Sequence, residues 1–198
     1  MFNKLVIATG NQGKLKEIQA LLAPLAINVL PQSDFNIPEA DEPYFTFIEN
    51  ALTKARHASL HSGLPALADD SGICVDTLHG APGIYSARFA GEPKSDARNN
   101  QKLLEALQGV ESRQAHYYCV MVLVRNPEDP QPLITQGIWQ GQILTSPRGE
   151  GGFGYDPLFL DDKTGKTGAE LPMDIKNRIS HRGHALRDMV HLIEKLQS

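Results

Sequence analysis

The sequence predicts an α/β protein built on a mixed β-sheet, and three features carry that prediction. An apolar run at Lys4–Ala8, an amphipathic pattern over Lys14–Ala23 and a second apolar run at Ile27–Leu30 form a β-α-β opening. The strongest strand pattern, His116–Arg125, is followed by the turn Asn126–Pro130 and a returning strand over Pro132–Leu144, which predicts an antiparallel hairpin. Helical patterns lie between and after these strands, so parallel and antiparallel pairs are expected in one sheet.

Each element has a local reason. In the first helix Leu15, Ile18, Leu21 and Leu22 recur at helical spacing, and Pro24 ends the pattern. Asp34–Tyr44, with Pro38 and Pro43, reads as an acidic loop. Thr46-Phe47-Ile48-Glu49 is a capping box, in which the threonine hydroxyl bonds the amide of Glu49 and Glu49 reaches back. Ile48, Ala51, Leu52 and Ala55 then form a predicted apolar stripe, closed by Gly63 and Pro65. Strand pieces are expected at Ala66–Ala68 and Ile73–Leu78, either side of an Asp69-Asp70-Ser71-Gly72 loop. A glycine-rich loop, Gly80–Gly83, precedes a helix from Asp96 to Leu107, and a second one spans Gly149–Asp156. The last helix starts near Ser180 as N-cap, with Ala185, Leu186, Met189, Val190, Ile193 and Leu196 inward.

The 198 residues are expected to form a single domain, 1–198, whose core needs no disulfide or structural metal. With 41% hydrophobic and 21% charged residues the composition is that of a globular protein. No apolar run approaches the ~18–20 residues of a membrane span. Met1-Phe2-Asn3-Lys4 leads straight into a strand-like run without a signal-peptide pattern. Cys74 and Cys119 both lie in apolar segments, as buried thiols in a reducing compartment do. A soluble cytoplasmic protein with no membrane partner is expected. The net charge of −4 argues against a nucleic-acid polymer as partner. That charge is unevenly spread: Asp34, Glu39, Asp41, Glu42 and Glu49 fall in a stretch without Lys or Arg, whereas Lys176, Arg178, Arg182 and Arg187 fall in one without acids. The first suits a cation and the second an anion, unless both are ordinary solvated faces.

Four segments could carry chemistry. Thr9-Gly10-Asn11-Gln12-Gly13-Lys14 joins a strand to a helix, where unpaired amides, glycines and a lysine suit a phosphate; the competing reading is a plain turn with Asn11 as cap. It has neither the spacing of a Walker A loop nor G-x-G-x-x-G. Asp69-Asp70 offers carboxylates for a hard cation and an attacking water, although neighbours on a strand face opposite ways, so one aspartate is expected in the site. Gly151-Gly152-Phe153-Gly154-Tyr155-Asp156-Pro157 could stack a flat base and accept hydrogen bonds at its edge, or could plug the core with its aromatics. Ser180-His181-Arg182, with Lys176 before it, offers donors for carbonyl or phosphate oxygens. Zinc at His181 and His184 lacks a recognisable third ligand.

Taken in order, ATGNQGK (8–14), TFIENALTKA (46–55), ADDSG (68–72), GAPGIYSARF (80–89), GGFGYDP (151–157) and SHRG (180–183) resemble the Ham1-like family of inosine triphosphate pyrophosphatases. The resemblance implies an elongated mixed sheet flanked by helices, two lobes with the active-site cleft between them, and a homodimer. It implies Mg²⁺-dependent hydrolysis of noncanonical purine nucleoside triphosphates to monophosphate and pyrophosphate. It places substrate contacts on Thr9, Gly10, Asn11, Gln12, Gly13, Lys14 and Ser71, and the catalytic base and metal-linked aspartate on Asp70. Base and ribose contacts fall on Phe153, Gly154, Tyr155, Asp156, Lys176, His181 and Arg182. A second metal ligand is expected before the TFIEN block. The stretch departs from the family pattern there, leaving Asp41 or Glu42, with Glu42 favoured over both Asp41 and Glu39. A nucleotide sensor without turnover, and a Maf-like pyrophosphatase acting on pyrimidine or modified bases, are the alternatives from other classes.

Overall fold

The computed structural model describes residues 2–25 and 27–197; Met1, Ala26 and Ser198 lie outside them. Six strands form one sheet in the order β2-β1-β3-β4-β5-β6. They are β1 (Lys4–Ile7), β2 (Asn28–Pro31), β3 (Ala66–Val75), β4 (Gln114–Val124), β5 (Leu133–Ile143) and β6 (Phe159–Asp161). β1 pairs in parallel with β2 and with β3, as a β-α-β opening requires, and β5 pairs antiparallel with β6, so the sheet is mixed. The helices are α1 (Gln12–Leu22), α2 (Phe47–Ser62), α3 (Asp96–Ala106), α4 (Met173–Ile179) and α5 (His181–Gln197). Among the described residues no helix is long and apolar enough to cross a membrane.

Contacts divide the chain into two compact units. One comprises residues 1–70, 119–137 and 182–198. Its core gathers Leu5 and Ile7 of β1, Leu15, Ile18 and Leu22 of α1, Met121 and Leu123 of β4, and Leu186, Met189 and Ile193 of α5. The other comprises residues 71–118 and 138–181, around Ile73, Leu103, Leu107, Tyr117, Trp139, Tyr155 and Phe159.

Local chemistry explains where the elements start and stop. Asn11 caps α1 by accepting the amide of Lys14 at 3.1 Å. Thr46 caps α2 by accepting the amide of Glu49 at 3.3 Å, while its hydroxyl donates to the Glu49 carboxylate at 2.5 Å. Gly63, at φ 67°, ends α2 by donating its N–H to the Ser59 carbonyl at 2.9 Å. Along β5, Thr135, Trp139 and Ile143 are buried while Ile134, Gln136, Ile138 and Gln140 are exposed, the period of two that a strand with one covered face needs.

The structure corrects the sequence expectation at several elements. Ala66 to Val75 is one unbroken strand, with no loop at Asp69-Asp70. The reading failed because two adjacent carboxylates are costly to bury, and the cations that offset this cost come from distant segments. In α2 the buried face is Asn50, Ala51, Ala55, Ala58 and Ser59, whereas Ile48 is exposed and Leu52 half-buried. The 3-10 turns at Gln32–Phe35, Asp76–Leu78 and Gly83–Arg88, together with β6 and α4, carry too few residues to show a period.

Candidate active site

Asp69 and Asp70 are both buried on β3, and each has its own cations. Asp69 Oδ2 takes Lys14 Nζ from α1 at 3.0 Å, and Arg182 Nη2 and Nε from α5 at 3.2 and 3.4 Å. Arg182 also donates through Nη1 to Glu17 Oε2 at 2.5 Å, and all three of Glu17, Asp69 and Arg182 are buried. Burial alone would raise the pKa of Asp69, but Lys14, Arg182 and Lys54 outweigh it and hold the carboxyl far below its ordinary range. Burial likewise acts to lower the pKa of Arg182, and Asp69 and Glu17 more than reverse that.

Asp70 meets a different set. Its Oδ1 takes Lys54 Nζ at 2.9 Å, and the same ammonium reaches Glu42 Oε1 at 2.8 Å. Asp70 Oδ2 accepts from Asn50 Nδ2 at 3.4 Å. Asn50, fully buried, also bonds Tyr44 twice, through its Oδ1 to the amide and through its Nδ2 to the carbonyl, each at 3.2 Å. One α2 side chain therefore ties the end of the acidic loop to the aspartate. Burial raises the pKa of Asp70 above its ordinary value, and Lys54 and Lys14 offset this only in part. For Lys54 burial acts downward, but Asp70, Glu42 and Asp69 together raise the ammonium above its ordinary value.

The loop that opens α1 runs beside this cluster. Asn11 receives its helix-cap bond from Lys14 and donates its own amide to Thr9 Oγ1 at 3.2 Å, leaving Gly10, Asn11 and Gln12 exposed at the helix N-terminus. Glu39 packs against Gly10, where a Cβ would sit 3.0 Å from Glu39 Oε1. Among the described residues no three His, Cys, Asp or Glu side chains converge as a ready metal cage. Two carboxylates, Glu42 and Asp70, do converge on one cation position, held by Lys54. A hard ion such as Mg²⁺ uses one or two carboxylates and completes its shell with water and phosphate oxygens, so this donor set fits it.

In the other unit Asp156 organises the glycine-rich loop. Its Oδ2 accepts the Phe153 amide at 2.9 Å and the Lys176 ammonium at 2.6 Å, and Lys176 Nζ lies 4.6 Å from the centre of the Phe153 ring. Gly152, at φ 72°, presses against this carboxylate, so both its backbone angle and the space demand glycine. Asp96 Oδ2 accepts the Gly154 amide at 2.7 Å, and Asn100 Nδ2 donates to the Gly154 carbonyl at 2.8 Å. Tyr155 is buried, with its hydroxyl donating to the Ser86 carbonyl at 2.8 Å, and His181 stacks on Tyr117 at 4.6 Å between centroids.

Known proteins share this arrangement of segments across nearly the whole chain. Residues 5–192 match the Ham1 family. The chain belongs to the Ham1 family. A dITP/XTP pyrophosphatase of Nitrosomonas europaea is 61% identical over 98% of this chain and 95% of its own, and one of Chromobacterium violaceum is 60% identical over 99% and 100%. A solved HAM1 protein of Coxiella burnetii superposes with a TM-score of 0.91 at 46% identity, covering 98% of this chain and 100% of its own. The Staphylococcus aureus Ham1 protein gives 0.86 at 37% identity, with 97% and 98% covered.

Within this Ham1 chain the residues singled out from the sequence fall into distinct settings. Thr9 to Lys14 form the turn and first helical turn, exposed at Gly10, Asn11 and Gln12 and half-buried elsewhere, with Lys14 on Asp69. Of the acidic-loop candidates, Glu42 joins Asp70 through Lys54, Asp41 is exposed with no bond to either, and Glu39 faces Gly10. Ser71 continues β3, half-buried. Arg182 is spent on Glu17 and Asp69 instead of lying open to a base. Tyr155 is a core aromatic and not half of an open stacking platform, because its hydroxyl finds a carbonyl inside the fold. Phe153 and Gly154 remain partly accessible, whereas Asp156, Lys176 and His181 are buried. Sequence reasoning missed Asn50, Lys54, Glu17 and the role of Asp69. Asn50 and Lys54 stand four apart on α2, so they share one face, and that spacing was the available signal.

Proposed function

We propose that this chain hydrolyses noncanonical purine nucleoside triphosphates, ITP, dITP and XTP, to the monophosphate and pyrophosphate, clearing them from the nucleotide pool before they enter DNA or RNA. The observation that carries the reading is Asp70: a buried carboxyl with a raised pKa, set beside a second carboxylate and two lysines next to an exposed helix N-terminus. The dITP/XTP pyrophosphatases that align over the full length support it. The same reading takes the working protein as a homodimer in the cytoplasm.

The residues divide the work by chemistry. The turn from Thr9 to Gly13, exposed at Gly10, Asn11 and Gln12, and the Lys14 ammonium bind the phosphate tail through amides, helix dipole and point charge. Asp70 orients a water and takes its proton for in-line attack at the α-phosphorus, and pyrophosphate leaves. Glu42 and Asp70 would hold Mg²⁺, which when bound supplies charge neutralisation on the phosphates. Asp69, held ionised by Lys14 and Arg182, keeps the Lys14 ammonium beside the turn until a phosphate tail is offered. The preference for hypoxanthine and xanthine bases over adenine rests on the dITP/XTP pyrophosphatases that align with this chain.

Incubating the protein with ITP, dITP, XTP, GTP, ATP and UTP, with and without Mg²⁺, and separating the products tests this. Monophosphate and pyrophosphate from the first three in Mg²⁺, with ATP and UTP far slower, is the expected pattern. Release of single phosphates, preference for UTP, or binding without turnover would each replace the reading.

A further inference from the structure

We infer that Lys54 is a resident counter-ion that competes with a divalent cation for Glu42 and Asp70, so that metal binds strongly only when a polyphosphate draws Lys54 away. The inference rests on the reading of these two carboxylates as the metal site.

The Lys54 ammonium sits 2.8 Å from Glu42 Oε1 and 2.9 Å from Asp70 Oδ1, and its side chain is 14% exposed. It answers an electrostatic need. Without a cation, two partly desolvated carboxylates would face each other, and like charges in that setting repel strongly. The ammonium also joins three segments: the acidic loop through Glu42, α2 through its own backbone, and β3 through Asp70. Asn50 holds the same three segments from its buried position. Lys54 and Asn50 together therefore fix the acidic loop, α2 and β3 at this point.

That organisation comes at the metal's expense. An ammonium and a metal ion cannot both stand between the same two oxygens. Lys54 has a flexible four-carbon stem, so it can leave when another anion is offered, and a triphosphate tail is such an anion. Lys14, parked on Asp69 at 3.0 Å beside the exposed turn, is placed to move in the same way. Linkage then makes metal and polyphosphate binding mutually reinforcing, since whatever removes Lys54 from the carboxylates strengthens the metal there.

Mn²⁺, followed by its electron paramagnetic resonance signal in nucleotide-free protein, is a direct probe. Lys54→Met and the gentler Lys54→Gln, which keeps a donor toward the carboxylates, are compared with wild type. In EDTA both variants are expected to melt below wild type, and Mn²⁺ is expected to raise their Tm more than it raises that of wild type. The Mn²⁺ Kd should tighten at least about fivefold, the lower end of ordinary site-to-site coupling. A folded variant that binds Mn²⁺ no tighter than wild type overturns the inference while leaving the metal reading intact. Adding Asp70→Asn to Lys54→Gln should abolish the tight site; Mn²⁺ binding that persists there overturns the metal reading, and the inference with it.

Discussion

Asp69 and Asp70 are adjacent on one strand, yet their surroundings push their carboxyl groups in opposite directions. Asp69 is clamped by Lys14 and Arg182, and Asp70 is left with a burial cost that Lys54 and Lys14 cover only partly. Two like groups with separated pKa values divide into a fixed charge and a group that exchanges protons. Arg182 belongs with the fixed charge. Removing it leaves Glu17 and Asp69 buried against each other, and breaking a buried pair costs about 3–5 kcal/mol. Urea unfolding of Arg182→Ala is expected to show a loss of that size, much larger than a surface arginine would give. Because the Asp69 carboxyl is lowered in the folded state, its contribution is present above the ordinary carboxylate pKa and fades only as pH falls through the much lower folded value. The stability difference between wild type and Arg182→Ala should therefore persist at pH 5.

At the scale of elements, α2 matters because it carries both Asn50 and Lys54 to β3. Its first turn depends on Thr46, whose hydroxyl bonds the Glu49 amide and carboxylate. Thr46→Ala is expected to cost about 1 kcal/mol in urea unfolding. Helix α2, with its capping box and its closing Gly63, was legible from the sequence, as were the β-α-β opening and the Asn11 cap of α1. These rest on chemistry between residues a few positions apart. β3 was not legible as one strand, because the charges that make Asp69 and Asp70 tolerable come from Lys14, Lys54 and Arg182, far away in sequence. The partners of Tyr155 and Arg182 were not legible for the same reason: Ser86 and Glu17 are distant in sequence. The motif marked where chemistry gathers, but the identity of each contact needed the fold.

On the scale of the whole molecule, the net charge of −4 conceals a set of paired opposites. In one unit the acidic residues Glu17, Glu42, Asp69 and Asp70 are matched by Lys14, Lys54 and Arg182; in the other, Asp156 is matched by Lys176. Each unit has its own apolar core beneath these charges. A protein organised this way has little attraction for a long polyanion but several cations that a short phosphate chain could recruit. The central claim is that Asp70 performs the chemistry on a noncanonical purine triphosphate. Its most direct test is pyrophosphate release from ITP in Mg²⁺ by wild type and Asp70→Asn, with nucleotide binding measured alongside. The expected result is turnover by wild type and its loss in Asp70→Asn even at ITP concentrations that the binding measurement shows to saturate the variant. Turnover by Asp70→Asn near the wild-type rate would contradict the account.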